Sequence, residues 1–127
     1  MARVTGLGGV FVKVNDRAAL GAWYRQHLGI KVEDWGGAQF PWSDDPGVPA
    51  QAYSVWSLFK ADTKYFAPSQ KPFMVNFRVD DLHALLAQLR AAGCAVDEKV
   101  EESEFGKFGW VTDPEGTKLE LWEPPKA

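Results

Sequence analysis

One pattern occurs twice along the chain: an alternating strand that runs straight into a capped helix stopped by glycine. In the first copy, GVFVKV at 9–14 alternates Val10, Val12 and Val14 with Gly9, Phe11 and Lys13, the period-two signature of a strand with one face against an apolar layer. Asn15 or Asp16 then caps a helix from about Arg17 to Leu28 with the apolar stripe Leu20, Trp23, Tyr24 and Leu28, and Gly29 ends it. In the second copy, FMVNFRVDD at 73–81 leads into a helix from Asp81 to Ala92 with the stripe Leu82, Leu85, Leu86 and Leu89, and Gly93 ends that one. Residues Val12 to Asp16 fall on Phe77 to Asp81, and Trp56 to Phe59 fall on Leu119 to Trp122. A shared order of strand, helix and further strands reads as a duplication.

The remaining elements complete each half. Ile30 to Asp34 is expected to be a second strand. WGGAQFPWSDDPGVP at 35–49 carries too many Gly, Pro and Asp residues for a long element, and reads as a loop with a short strand, a candidate flap. Gln51 to Phe59 reads as the strand closing the first half, being rich in aromatic and β-branched residues. After the polar stretch ADTKYFAPSQKP and the second helix, strands are expected near Phe108 to Thr112 and Lys118 to Trp122, joined by the turn-forming DPEG at 113–116. The class is therefore α+β, two βαβββ modules side by side, the first at about 6–62 and the second at about 72–123.

Length and charge exclude several functions. At 127 residues the chain is one domain's worth, able to bury roughly two-thirds of its unfolded surface. Fourteen basic against 17 acidic residues leave a net charge of −3, so no basic face is expected for a nucleic acid. The single cysteine, Cys94, excludes an intrachain disulfide and a cysteine metal cage. It lacks an obvious base and reads as an inert thiol. The amino terminus lacks a secretory apolar core, and no run reaches the about 18 apolar residues needed to span a bilayer. A cytoplasmic protein without membrane contact is expected.

Three segments carry a family resemblance: FVKVND with WYRQHLG in the first half, NFRVDDLHALLAQLRAAG in the second, and most specifically FGWVTDPEGTKLELWEP at 108–124. Over nearly its whole length the chain resembles the vicinal oxygen chelate superfamily, which holds glyoxalase I, bleomycin-resistance proteins and extradiol dioxygenases. The resemblance implies that the modules form a cup-shaped curved mixed sheet with the helices on its outer face and a ligand in its hollow. It also implies a homodimer. Enzymatic members place a divalent metal in the cup on ligands from the first and last strands of each module, and those positions fall here on Gly9, Met74, Ser57 and Glu120. Only Glu120 is a suitable donor, and a stable site needs several. His27 and His83 lie on the outer helices, so neither a metal nor another cofactor is expected.

Strand alternation says what lines the hollow instead. With Val10, Val12, Val14, Val75, Phe77, Val79, Leu119 and Leu121 facing the helices, the other face presents Gly9, Phe11, Lys13, Met74, Asn76, Arg78, Glu120 and Trp122. Ser57, Phe59 and Trp110 join them, and Trp42 is a further aromatic candidate. Polar groups among aromatic rings on a concave surface are the usual make-up of a small-molecule pocket. Arg78 offers a planar fork to a carboxylate or phosphate, and Asn76 a donor and an acceptor. Glu120 either touches the ligand or is satisfied internally by Arg78, Asn76 or Lys13. The GLGG at 6–9 precedes its strand and so fails the context of a phosphate loop. The expected function is metal-independent binding of an aromatic or partly anionic organic ligand. The alternatives are a metal-dependent lyase, isomerase or dioxygenase using Glu120, and a scaffold for a protein partner.

Overall fold

Two aspartates start the two helices. The Asp16 side chain accepts the Ala19 N–H at 3.0 Å and begins α1 (Arg17–Leu28); the Asp81 side chain accepts the Ala84 N–H at 3.1 Å and begins α2 (Leu82–Ala91). Gly29 closes α1 at φ +70°, a conformation glycine adopts without steric cost. The computed structural model describes residues 1–42 and 53–126. Its strands are β1 (Val4–Val14), β2 (Gly37–Pro41), β3 (Tyr53–Lys60), β4 (Phe73–Val79), β5 (Ala95–Ser103), β6 (Gly106–Thr112) and β7 (Lys118–Glu123).

The strands form one open, curved mixed sheet in the order β2-β3-β1-β4-β7-β6-β5. In each half the last strand runs parallel to the first, β3 beside β1 and β7 beside β4, while β1 and β4 pair antiparallel at the centre and join the halves. This is the expected α+β architecture with both helices on one face. Among the described residues the first half contributes three strands and the second four.

Two elements differ from expectation. Ile30 to Asp34 is not a strand: Arg25 donates to the Val32 carbonyl at 2.9 Å and Arg17 to the Trp35 carbonyl at 2.7 Å, so helix side chains take acceptors that a neighbouring strand would need. The short strand expected within 35–49 forms as β2. β5 was not anticipated, because AVDEKVEES is mostly charged. Val96 and Val100 are its half-buried residues, and as an edge strand it keeps its charges in water. Residues 51 and 52 of the expected closing strand, and residues 43–49 of the candidate flap, lie outside the described residues.

The sheet carries apolar clusters on both faces. Against α2, Leu82, Leu85 and Leu86 pack on Val79, Val111 and Leu121, with Phe77 and Leu119 beside them. On the opposite face Phe66, Met74 and Trp110 are buried, backed by Phe11, Phe59 and Phe108. Phe66 comes from the connection between the halves and is fully buried, which stabilises the fold by about 1.5–3 kcal/mol. Among the described residues no helix is long and apolar enough to cross a membrane.

Candidate functional site

Glu120 lies on the sheet face away from the helices and is only 2% exposed. Strand register puts Asn76 on β4 and Trp110 on β6 on either side of it. Asn76 Nδ2 donates to Glu120 Oε1 at 2.6 Å, and Trp110 Nε1 donates to Oε2 at 3.0 Å. The Tyr65 hydroxyl, from the connection between the halves, donates to the same Oε2. Burial pushes the Glu120 carboxyl above its ordinary 4.5, and the hydrogen bonds from Tyr65, Asn76 and Trp110 oppose that shift without cancelling it. Burial and then the Glu120 charge hold the Tyr65 hydroxyl far above the usual phenol range, so it stays a donor.

Lys118 closes the arrangement from the next layer. Its Nζ donates to the Tyr65 carbonyl at 2.7 Å and sits 5.4 Å from the ring centres of both Tyr65 and Trp110. Burial lowers its pKa, the nearby acidic groups only partly offsetting this.

The other end of the Asn76 amide faces a different situation. A carboxylate accepts only, so Nδ2 is turned to Glu120 and Oδ1 points away. There Oδ1 is buried and accepts no hydrogen bond among the described residues. It lies over Gly8, where the pairing of β1 with β4 shifts register; a Cβ on Gly8 would stand 1.9 Å from it. Only glycine leaves this space.

Gly8, Asn76 and Glu120 form the polar part of a cavity of about 100 Å³. Its walls are Phe11, Tyr53, Val55, Phe105, Phe108 and Trp122, and one side is open. Trp122 stacks nearly parallel to Phe108 at 6.4 Å between ring centres and meets Tyr53 at 5.5 Å. Its indole N–H donates to the Phe105 carbonyl at 2.8 Å, which sets the ring's orientation. The Arg78 guanidinium lies 5.1 Å from the Trp42 ring centre and 5.9 Å from that of Trp122. The enclosed volume suits one small ring or the end of a longer molecule.

The structure gathers Phe11, Asn76, Glu120 and Trp122 at this cavity, with Trp110 directly behind Glu120 and Arg78 against Trp122. Four other residues expected at the site stand outside it. Met74 is fully buried with Phe66 and Trp110, and Phe59 packs on Phe11, Tyr65 and Phe66. Lys13 Nζ sits 5.4 Å from the Phe66 ring centre. Ser57 lines, with Phe59, Arg17 and Trp35, a separate open cleft of about 440 Å³. Among the described residues the hydrogen-bond partners of Glu120 are Asn76, Tyr65 and Trp110, and not Arg78 or Lys13.

Tyr65, Tyr53, Val55, Phe105, Phe108 and Gly8 were not anticipated. Phe108 and Val55 were within reach of period-two counting from Trp110 and Ser57. Tyr65 and Phe66 were concealed in a polar stretch.

The donor set does not fit the divalent metal that the superfamily places in its cup. Of the four positions expected to supply ligands, Gly9 has no side chain, Met74 is in the core and Ser57 lies in the other cleft. The residue beside Glu120 is Asn76, and the carboxylate is surrounded by N–H and O–H groups whose protons point at the place a cation would need. Among the described residues no three His, Cys, Asp or Glu side chains come together to hold a metal.

Comparison with known proteins agrees with this architecture. The glyoxalase-like domain family matches residues 9–122. Methylmalonyl-CoA epimerase from Mycobacterium tuberculosis is 24% identical, with 97% of this chain and 90% of that chain covered and a TM-score of 0.62. A Streptomyces coelicolor methylmalonyl-CoA epimerase variant in complex with 2-nitronate-propionyl-CoA is 18% identical, with 98% of each chain covered and a TM-score of 0.71. A glyoxalase/bleomycin resistance protein/dioxygenase superfamily member from Vibrio splendidus 12B01 is 13% identical, with 97% and 99% covered and a TM-score of 0.58. No curated protein matches the sequence. Likeness at these identities speaks to the fold alone. With the family matched over most of its length, the chain belongs to the glyoxalase-like domain family.

Proposed function

We propose that this protein binds a small aromatic or partly anionic organic molecule in the hollow of its sheet, without a divalent metal. The observation that carries the reading is the closed set of donors around Glu120: both carboxylate oxygens already accept hydrogen bonds, from Asn76, Trp110 and Tyr65. Ring-lined walls support an aromatic occupant, and the Arg78 guanidinium beside Trp122 adds positive charge at that edge. A cytoplasmic homodimer belongs to the same reading. The pairing of two chains is supported by the large apolar side chains of Trp23, Leu28, Trp35 and Phe40, which are left exposed on and around α1 and β2.

Elemental analysis of protein purified without a metal-affinity tag, together with melting curves in the presence of chelator and a panel of phenols, anilines and aromatic acids, tests the proposal. The expected result is no stoichiometric Ni, Zn, Mn or Fe, with saturable upward shifts for some of the compounds. One metal ion per chain would favour the alternative, a metal-dependent enzyme using Glu120. Absence of binding across the whole panel would also overturn the proposal.

A further inference from the structure

Resting on the reading of the cavity as a ligand site, we propose that its occupant presents a hydrogen-bond donor, O–H or N–H, on the edge of a planar ring, and that Asn76 Oδ1 receives it. Asn76 is 4% exposed and its Oδ1 is the buried side-chain oxygen left without a donor among the described residues. An orphaned buried acceptor destabilises the folded chain, so a group that satisfies it gains what the fold forgoes. Its direction is set by chemistry: Glu120 takes the amide N–H, which commits the oxygen to the opposite side. On that side Oδ1 sits in the notch that Gly8 leaves by having no Cβ, at the wall of the cavity that Gly8 and Asn76 both line. Beyond the oxygen the lining is Phe11, Val55, Phe108 and Trp122, which offer flat apolar surface. The matching chemistry is a phenol, an aniline or an indole-like N–H. A carboxylate or a bare hydrocarbon brings no proton to this point.

Phenol and toluene are close in shape and differ in the donor. Toluene gains more from leaving water, so a preference for phenol has to come from a polar contact. Titration of each into the wild-type protein, followed by chemical shifts of the Trp122 indole N–H and the Asn76 side-chain amide, is expected to give saturation with phenol bound about tenfold or more tighter than toluene. Glu120→Gln supplies the second measurement. A glutamine amide in place of the carboxylate donates to Asn76, so the Asn76 amide turns over and presents N–H to the cavity. Phenol can accept from that N–H, so the variant is read with pyrrole and thiophene, two rings alike in shape of which only pyrrole carries a donor; a pyrrole preference present in the wild type is then expected to fall about tenfold. Equal or tighter toluene binding to the wild type would overturn the inference while leaving the binding-site reading standing. A pyrrole preference that persists in Glu120→Gln would place the contact elsewhere and overturn it as well. If neither compound perturbs the cavity residues, the inference and the reading beneath it both fall.

Discussion

Tyr65 donates its hydroxyl hydrogen to Glu120 across 55 residues of sequence, tying the connection between the two halves to the last strand of the second. The neighbouring Phe66 is fully buried against Met74 and Trp110, so the same dipeptide seals one side of the sheet and satisfies its buried carboxylate. The connection is therefore part of the site, and Lys118 fixes it further by donating to the Tyr65 carbonyl.

Tyr65→Phe keeps the ring and deletes that donor. Trp110 still reaches Glu120 Oε2, so the carboxylate is weakened in its hydrogen bonding without being isolated. Unfolding in urea at neutral pH is expected to show a loss of about 1–3 kcal/mol. An unchanged midpoint would mean that the hydroxyl contributes nothing at this position.

The Glu120 carboxyl titrates above its ordinary 4.5 in the folded chain, chiefly because it is buried. Between that value and the raised one the folded state holds a proton that the unfolded state has released, so this group's contribution to stability falls as pH rises through the window. Asp80 and Asp113 act with the opposite sign at lower pH: backbone hydrogen bonds hold both below 3.8, and their contributions are lost as pH falls through those depressed values. The difference in stability between wild type and Glu120→Gln isolates the glutamate. It is expected to move against the wild type as pH climbs above 4.5, and a flat difference in urea midpoints from acid to neutral pH would refute the assignment.

Period-two alternation reached Asn76 and Glu120 at the centre of the cavity, with Phe11 and Trp122 on its walls, and left the rest of the lining unread. Once FMVNFRV and KLELW are strands, Met74 and Asn76 must share a face, as must Glu120 and Trp122, and they do. What alternation lacks is depth along the strand. Met74 and Asn76 are equivalent by period, yet only strand register decides that Asn76 meets Glu120 while Met74 sits under Phe66. The slip at β3 has the same origin, since Val55, Ser57 and Phe59 are alike by period and Val55 is the one that lines the cavity. Tyr65 lies outside any periodic element, so no local pattern points to its long-range hydrogen bond. The failed strand at Ile30 to Asp34 depended on Arg17 and Arg25 reaching backbone carbonyls, an interaction that propensity does not encode.

Met74 separates core from cavity. It is fully buried, touches the Phe66 and Trp110 cluster, and is absent from the cavity lining. Met74→Ala is expected to cost about 2–5 kcal/mol in a urea titration, as truncation of a large buried side chain does. At a temperature where the variant remains folded, its affinity for phenol should fall by no more than about fivefold, because Met74 reaches the cavity only through Phe11 and Phe108 and is not itself part of the lining. A large loss of affinity in folded protein would return Met74 to the binding surface.

Gly8 is the position where a single methyl group tests the cavity most directly. A Cβ there would stand 1.9 Å from Asn76 Oδ1, and 3.3 Å from the Asn76 carbonyl oxygen, which belongs to a central strand and has little freedom to retreat. In Gly8→Ala the Asn76 side chain must rotate, weakening its bond to Glu120, or β1 must shift, and either adjustment displaces Oδ1 from its place at the cavity wall. Overpacking of this kind is expected to cost about 1–3 kcal/mol of stability. Phenol affinity should fall by at least about tenfold, roughly what loss of one good hydrogen bond removes. Isothermal titration on folded Gly8→Ala provides the check. Wild-type affinity with the alanine in place would show that the ligand does not reach the floor of the cavity.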